Sequence, residues 1–169
     1  WVNPSPNLRS MDAVLLYPGT VFFEGTNLSE GRGTDAPFQL IGAGWLTDAG
    51  AVAGQLNRMH LPGVEFDSTS RTIEAGQKWG GQTIPMLQVS VSNRDSVRPV
   101  EIAAYMLQVI RSRHPAEFKW LLPHMDDLAG SDALRKAVDA GTVAGLLPRL
   151  EAQSRAFEMA TRPYRLYKP

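Results

Sequence analysis

Pro99-Val-Glu-Ile-Ala-Ala-Tyr-Met-Leu-Gln-Val-Ile-Arg-Ser-Arg113 decides the character of the second half of the chain. Ile102, Met106, Val109 and Ile110 recur at helical spacing, Pro99 sits where a first-turn N–H has no partner to lose, and Pro115 stops propagation. The spacing predicts a helix over 99–113. Downstream, Ser131 caps a helix to Ala140 that Gly141 closes, and Thr142 starts another to about Thr161, with Pro148 early enough to kink or restart it. The tail Pro163-Tyr-Arg-Leu-Tyr167 reads as a final extended segment.

Upstream, glycine and proline replace the helix formers. Ala13 to Tyr17, closed by Pro18-Gly19, and Thr20 to Phe23 are short apolar runs that read as buried strands or one bent strand. Thr47 or Asp48 can cap a helix to about His60, with Leu46, Val52, Leu56 and Met59 as its apolar stripe and Leu61-Pro-Gly63 as its end. Val64 to Phe66 and Met86 to Val91 follow as strands, the second beginning after Pro85 because proline cannot donate to a central ladder; Gly80-Gly81 marks the turn before it. The asymmetry predicts one α+β domain over 1–169: a small mixed sheet packed by helices, with a mainly helical C-terminal half.

The chain has 169 residues, enough to bury about two-thirds of the surface an unfolded chain exposes. Its 17 basic and 17 acidic side chains cancel, so no global field draws it toward nucleic acid or anionic lipid. Without cysteine it has neither a disulfide framework nor a thiolate zinc site, and no apolar run approaches the roughly 20 residues that span a bilayer. His60, His114 and His124 are scattered, with no partner at metal-ligand spacing. Neither a metal nor a cofactor is expected. The opening Trp1-Val-Asn-Pro-Ser-Pro-Asn7 reads as an extended entry into a domain, and an upstream portion is expected before it.

Chemistry concentrates in Glu24-Gly-Thr-Asn-Leu-Ser-Glu-Gly-Arg-Gly-Thr34. Glu24 and Glu30 bring carboxylates, Asn27 an amide, Thr26, Ser29 and Thr34 hydroxyls, and Arg32 a guanidinium. Gly25, Gly31 and Gly33 let the backbone turn sharply and come close to a ligand. The plainer alternative is a connecting loop whose side chains cap its own backbone, with Arg32 paired to Glu24 or Glu30. Gly31-Arg-Gly-Thr34 fits neither the Walker nor the dinucleotide fingerprint, which argues against a phosphate cradle. Ser29 matches only the second half of a nucleophile elbow. His124-Met-Asp-Asp127 can hold an acid and a base, or simply start a helix with an acidic pair.

Tyr17-Pro-Gly19, the stretch Phe23 to Thr34, Pro37-Phe38 and Ile41-Gly-Ala43 with Trp45 together resemble the hallmark stretch of the exo-β-N-acetylmuramidase family. Pro4-Ser-Pro-Asn7, Leu61-Pro-Gly-Val64, Asn93-Arg-Asp95 before Arg98-Pro-Val100, Leu128-Ala-Gly130 and Tyr164-Arg-Leu-Tyr167 are similar to that family's C-terminal half. The resemblance implies a Rossmann-like domain upstream in the same chain, a smaller domain corresponding to this one, and a sugar cleft between them. It implies removal of β-1,4-linked N-acetylmuramic acid from non-reducing ends of peptidoglycan fragments, in an extracellular or periplasmic setting. Glycoside hydrolysis ordinarily uses two carboxyl groups. Glu24 is then the catalytic candidate, or a sugar-hydroxyl ligand, while Asn27, Ser29, Glu30, Arg32 and Thr34 are the substrate-binding candidates, Arg32 for the lactyl carboxylate. By itself this domain is expected to be inactive. The competing readings are a non-catalytic glycan-binding or scaffolding domain and an unrelated anion-binding module. Two departures stand out: Gly44 where the family usually has proline before Trp45, and Trp79-Gly-Gly-Gln82 where Cys-Gly-Gly is usual.

Overall fold

Two nine-residue strands joined through the Gly80-Gly81 turn form the centre of the computed structural model, which describes residues 2–167; Trp1 of the expected extended entry lies outside them. β2 (Val64–Thr72) pairs antiparallel with β3 (Thr83–Val91) from Val64↔Val91 to Thr72↔Thr83. The short β1 (Leu40–Gly42) flanks β3 on its other side, giving the order β1-β3-β2. The α+β class is as expected, but the sheet is antiparallel throughout rather than mixed. β3 begins at Thr83, before Pro85, because β1 reaches only Met86: at Pro85 the strand has a neighbour on one side alone, where a missing N–H is tolerated. The polar Asp67-Ser-Thr-Ser-Arg-Thr72 extends β2 beyond the expected Phe66 because it pairs with β3 while its side chains face mainly solvent.

Helices α1 (Met11–Thr20), α2 (Ala49–Asn57) and α3 (Pro99–Arg113) pack around Leu16, Leu46, Leu56, Met106 and Leu107, all fully buried. α3 has the predicted boundaries. The strand expected over Ala13–Tyr17 is instead α1. Its start is fixed by Ser10, whose Oγ accepts from the Ala13 N–H at 3.1 Å, and so short an apolar run cannot by itself distinguish a buried helix from a strand. The run Thr20–Phe23 ends α1 and enters a 3-10 turn over Val21–Gly25. α4 (His124–Ala129), α5 (Ala133–Ala140) and α6 (Val143–Thr161) make the second half helical, and α6 continues through Pro148. In the tail, Pro163 and Tyr164 lie in a 3-10 turn over Arg162–Tyr164 rather than in the expected extended segment, and Arg165 after it is extended.

Asp48 does not cap α2 with its side chain, although it occupies the capping position. It reaches α3 instead, where Arg113 donates to Oδ2 from Nε at 2.8 Å and Nη2 at 2.6 Å, and His114 Nε2 lies 2.7 Å from Oδ1. Partial burial pushes the Asp48 carboxyl up, but these two partners outweigh it and hold it below the usual range. A carboxyl depressed in the fold stabilises above its unfolded value of about 3.9 and loses that contribution as pH falls through the folded value. Asp48→Asn is expected to cost about 1 kcal/mol at pH 7 and nothing at the acid end, read from denaturant midpoints of the two proteins between pH 2 and 7. An equal difference at both ends would contradict the clamp.

Candidate functional site

The loop following the 3-10 turn is held from three sides. Thr26 bridges to Trp120, and Ser29 pairs with Gly42 of β1, its N–H donating to the Gly42 carbonyl at 2.7 Å and its carbonyl accepting at 3.0 Å. Asn27 is clasped by the 117–119 segment: its Nδ2 donates to the Glu117 carbonyl at 2.8 Å and its Oδ1 accepts from the Lys119 N–H at 2.9 Å. The third side is the β2–β3 connection, where Trp79 Nε1 donates to the Asn27 carbonyl at 3.0 Å. Gly25 permits the turn to approach α4, since a Cβ there would lie 2.6 Å from Met125 Cα.

A neutral charge cluster crosses this loop. Arg32 donates to Glu24 Oε1 from Nη2 at 2.6 Å, and its Nε lies 3.1 Å from Glu30 Oε1. Glu30 is only 4% exposed, and its second oxygen is 3.1 Å from Lys78 Nζ. Two cations thus compensate a carboxylate that burial would otherwise penalise heavily. The Arg32 guanidinium stacks 5.0 Å from the centre of the Phe38 ring, which meets Tyr17 edge-on. Burial works against the charge of Arg32, but the Glu24 hydrogen bond and the charges of Glu24 and Glu30 prevail and raise its affinity for protons. Glu24 keeps 23% of its side chain exposed, with Oε2 4.0 Å from His124 Nε2. Phe38 and Trp79, both bulky, hold positive φ of 64° and 66° beside this cluster, where strain is typically stored at functional sites.

The expected site residues therefore separate into two groups. Glu24, Glu30 and Arg32 come together in one charged chain. The other three hold backbone: Ser29 and Thr34 that of the loop itself, Asn27 that of the 117–119 segment. Ser29 Oγ accepts from the Gly31 N–H, Thr34 Oγ1 donates to the Gly31 carbonyl at 2.6 Å, and Asn27 is occupied as described. Lys78, Trp79, Tyr17 and Phe38 were not singled out as site residues from the sequence. Lys78 and Trp79 lie about fifty positions away in a hairpin turn that only the departure at Trp79 marks in the sequence. His124 sits where its acidic neighbours were read as a helix start, and Asp126 indeed pairs with Arg135 of α5 at 2.7 Å.

Residues 15–167 match the family model described as "Exo-beta-N-acetylmuramidase NamZ, C-terminal". The chain belongs to the NamZ family. It is 34% identical to the peptidoglycan beta-N-acetylmuramidase NamZ of Bacillus subtilis (strain 168), across 99% of this chain and 40% of that protein. Crystal structures of two DUF1343 family proteins from Bacteroides fragilis have similar folds. One has a TM-score of 0.86 at 23% identity, covering 99% of this chain and 45% of its own; the other has 0.67 at 26%, covering 98% and 44%. The chain thus spans less than half the length of each of these relatives. Its two departures from the NamZ-family pattern are neighbours in space, because a Cβ on Gly44 would lie 2.9 Å from the Trp79 ring. The glycine leaves room for an indole that in turn fastens the Asn27 carbonyl.

Proposed function

We propose that this chain supplies one wall of the active cleft of a peptidoglycan glycosidase that releases N-acetylmuramic acid from non-reducing ends, outside the cytoplasm, with a further domain of the same polypeptide forming the opposite wall. The observation that carries the reading is the partly exposed Glu24 carboxylate, fixed by Arg32 at 2.6 Å, within the segment matched to the NamZ model. A carboxylate already held by a guanidinium suits an accepting role: base, nucleophile or partner of the positive charge that develops at the anomeric carbon. The proton donor to the leaving oxygen is then assigned to the opposite wall.

Arg32 orients Glu24 in this reading. A lactyl carboxylate would have to share a guanidinium already committed to two carboxylates, so the ion pairs favour the brace over the substrate grip. Ser29, Thr34 and Asn27 shape the loop, while Glu24, Arg32, His124 and Tyr17 all keep part of their side chains exposed. The test compares chromogenic β-N-acetylmuraminide and β-N-acetylglucosaminide with the full-length protein and with residues 1–169 alone. Turnover of the muraminide by the full-length protein, and none by the isolated chain, is expected. Robust turnover by the isolated chain would overturn the divided site, and indifference to the lactyl group would overturn the substrate.

A further inference from the structure

Lys78 is the one charged side chain of the 73–82 turn that enters the loop, and its ammonium sits among converging oxygens. The carbonyls of Phe23, Glu24, Thr26 and Leu28 lie 3.0, 3.2, 3.0 and 3.1 Å from Nζ, and Glu30 Oε2 lies at 3.1 Å. An ammonium has three hydrogens, so five acceptors at these distances form a cation cage rather than a set of ordinary one-to-one hydrogen bonds. Carbonyls pointed at one centre repel each other unless a charge occupies it. Three of the four belong to the residues surrounding Glu24 in sequence, and the fourth is Glu24's own.

We propose that Lys78 is a positioning residue: its ammonium is the tethered cation around which residues 23–30 fold, and so sets where the Glu24 carboxylate stands. Where it concerns catalysis, this rests on the function proposed above; where it concerns the cage, it does not. A guanidinium cannot replace the ammonium, being planar and too large to present its donors to acceptors on all sides. A small cation freed from the tether can.

The test is chemical rescue of Lys78→Ala in the full-length protein. Its kcat on the muraminide is expected to fall about a hundredfold, with KM nearly unchanged, because a displaced carboxylate loses reaction geometry before it loses substrate contact. Ammonium or propylammonium should restore at least tenfold saturably, while tetramethylammonium, which has no N–H, should not. Lys78→Arg should remain impaired. Melting temperature gives a readout free of activity: propylammonium should raise that of Lys78→Ala, by about 4 °C, and leave that of Lys78→Met, whose stem fills the space, unchanged. Thermal rescue in a protein that turns over no muraminide at all would preserve the cage and sink the proposed function. A Lys78→Ala protein with full kcat, one that no amine improves in rate or melting, or one that fails to fold even in propylammonium would overturn the proposal.

Discussion

Glu24→Gln in the full-length protein is expected to lower kcat on a β-N-acetylmuraminide by roughly 10²- to 10⁴-fold with the fold intact. Gln is isosteric, and its amide oxygen can still accept the 2.6 Å hydrogen bond from Arg32, so the loop keeps its arrangement while the negative charge is gone. What is lost is the ability to take a proton, attack, or oppose a developing cation. The kinetic pattern distinguishes the alternatives: a fall in kcat and kcat/KM together marks an interaction made in the transition state, whereas a raised KM with kcat preserved marks uniform binding and would make Glu24 a sugar ligand. Unchanged kinetics would return the domain to a non-catalytic role.

Gly19→Ala should be the most damaging conservative change to the scaffold. A Cβ at Gly19 would lie 1.9 Å from the Pro99 carbonyl oxygen and 3.1 Å from Ala103 Cβ, so the C-terminal end of α1 and the start of α3 must separate. The first is a backbone atom and the second a methyl with no rotamer, so no rotamer change relieves either contact. Overpacking of this kind costs about 3 kcal/mol, or roughly 6–12 °C in melting temperature for a domain of this size. Because α1 leads directly into the turn that carries Glu24, activity should fall below the level the stability loss accounts for. A melting temperature within about 2 °C of the parent would show that the two helices part easily.

The parts of the fold that could be read in advance were those with a periodic or punctuated local signal. α3 has four apolar residues at helical spacing between two prolines, and the Gly80-Gly81 turn lies between two pairing strands. α1 does not show as a helix in the sequence because its apolar run is too short to show a period and its deciding feature is a single capping serine. The polar half of β2 was missed because its strand character comes from its partner, not from its side chains.

In the site, the concentration of glycine, acid and arginine between Glu24 and Thr34 was legible, and so was the possibility that its hydroxyls cap its own backbone. Which polar groups face outward was not, because that depends on Gly42, Trp120 and the 117–119 segment arriving from elsewhere in the chain. Lys78 illustrates the limit most clearly: a lone lysine in a glycine-rich turn has no signature, and four of the five oxygens of its cage are backbone carbonyls that any residues would supply.

The most direct test of the Glu24 centre is a crystal structure of the full-length protein with N-acetylmuramic acid bound. The sugar is expected against the Glu24–Arg32 edge, with the Glu24 oxygen not held by Arg32 turned toward its anomeric carbon and Lys78 still caged behind the loop. A sugar bound clear of residues 24–34, with Glu24 still facing Arg32 and solvent, would contradict it.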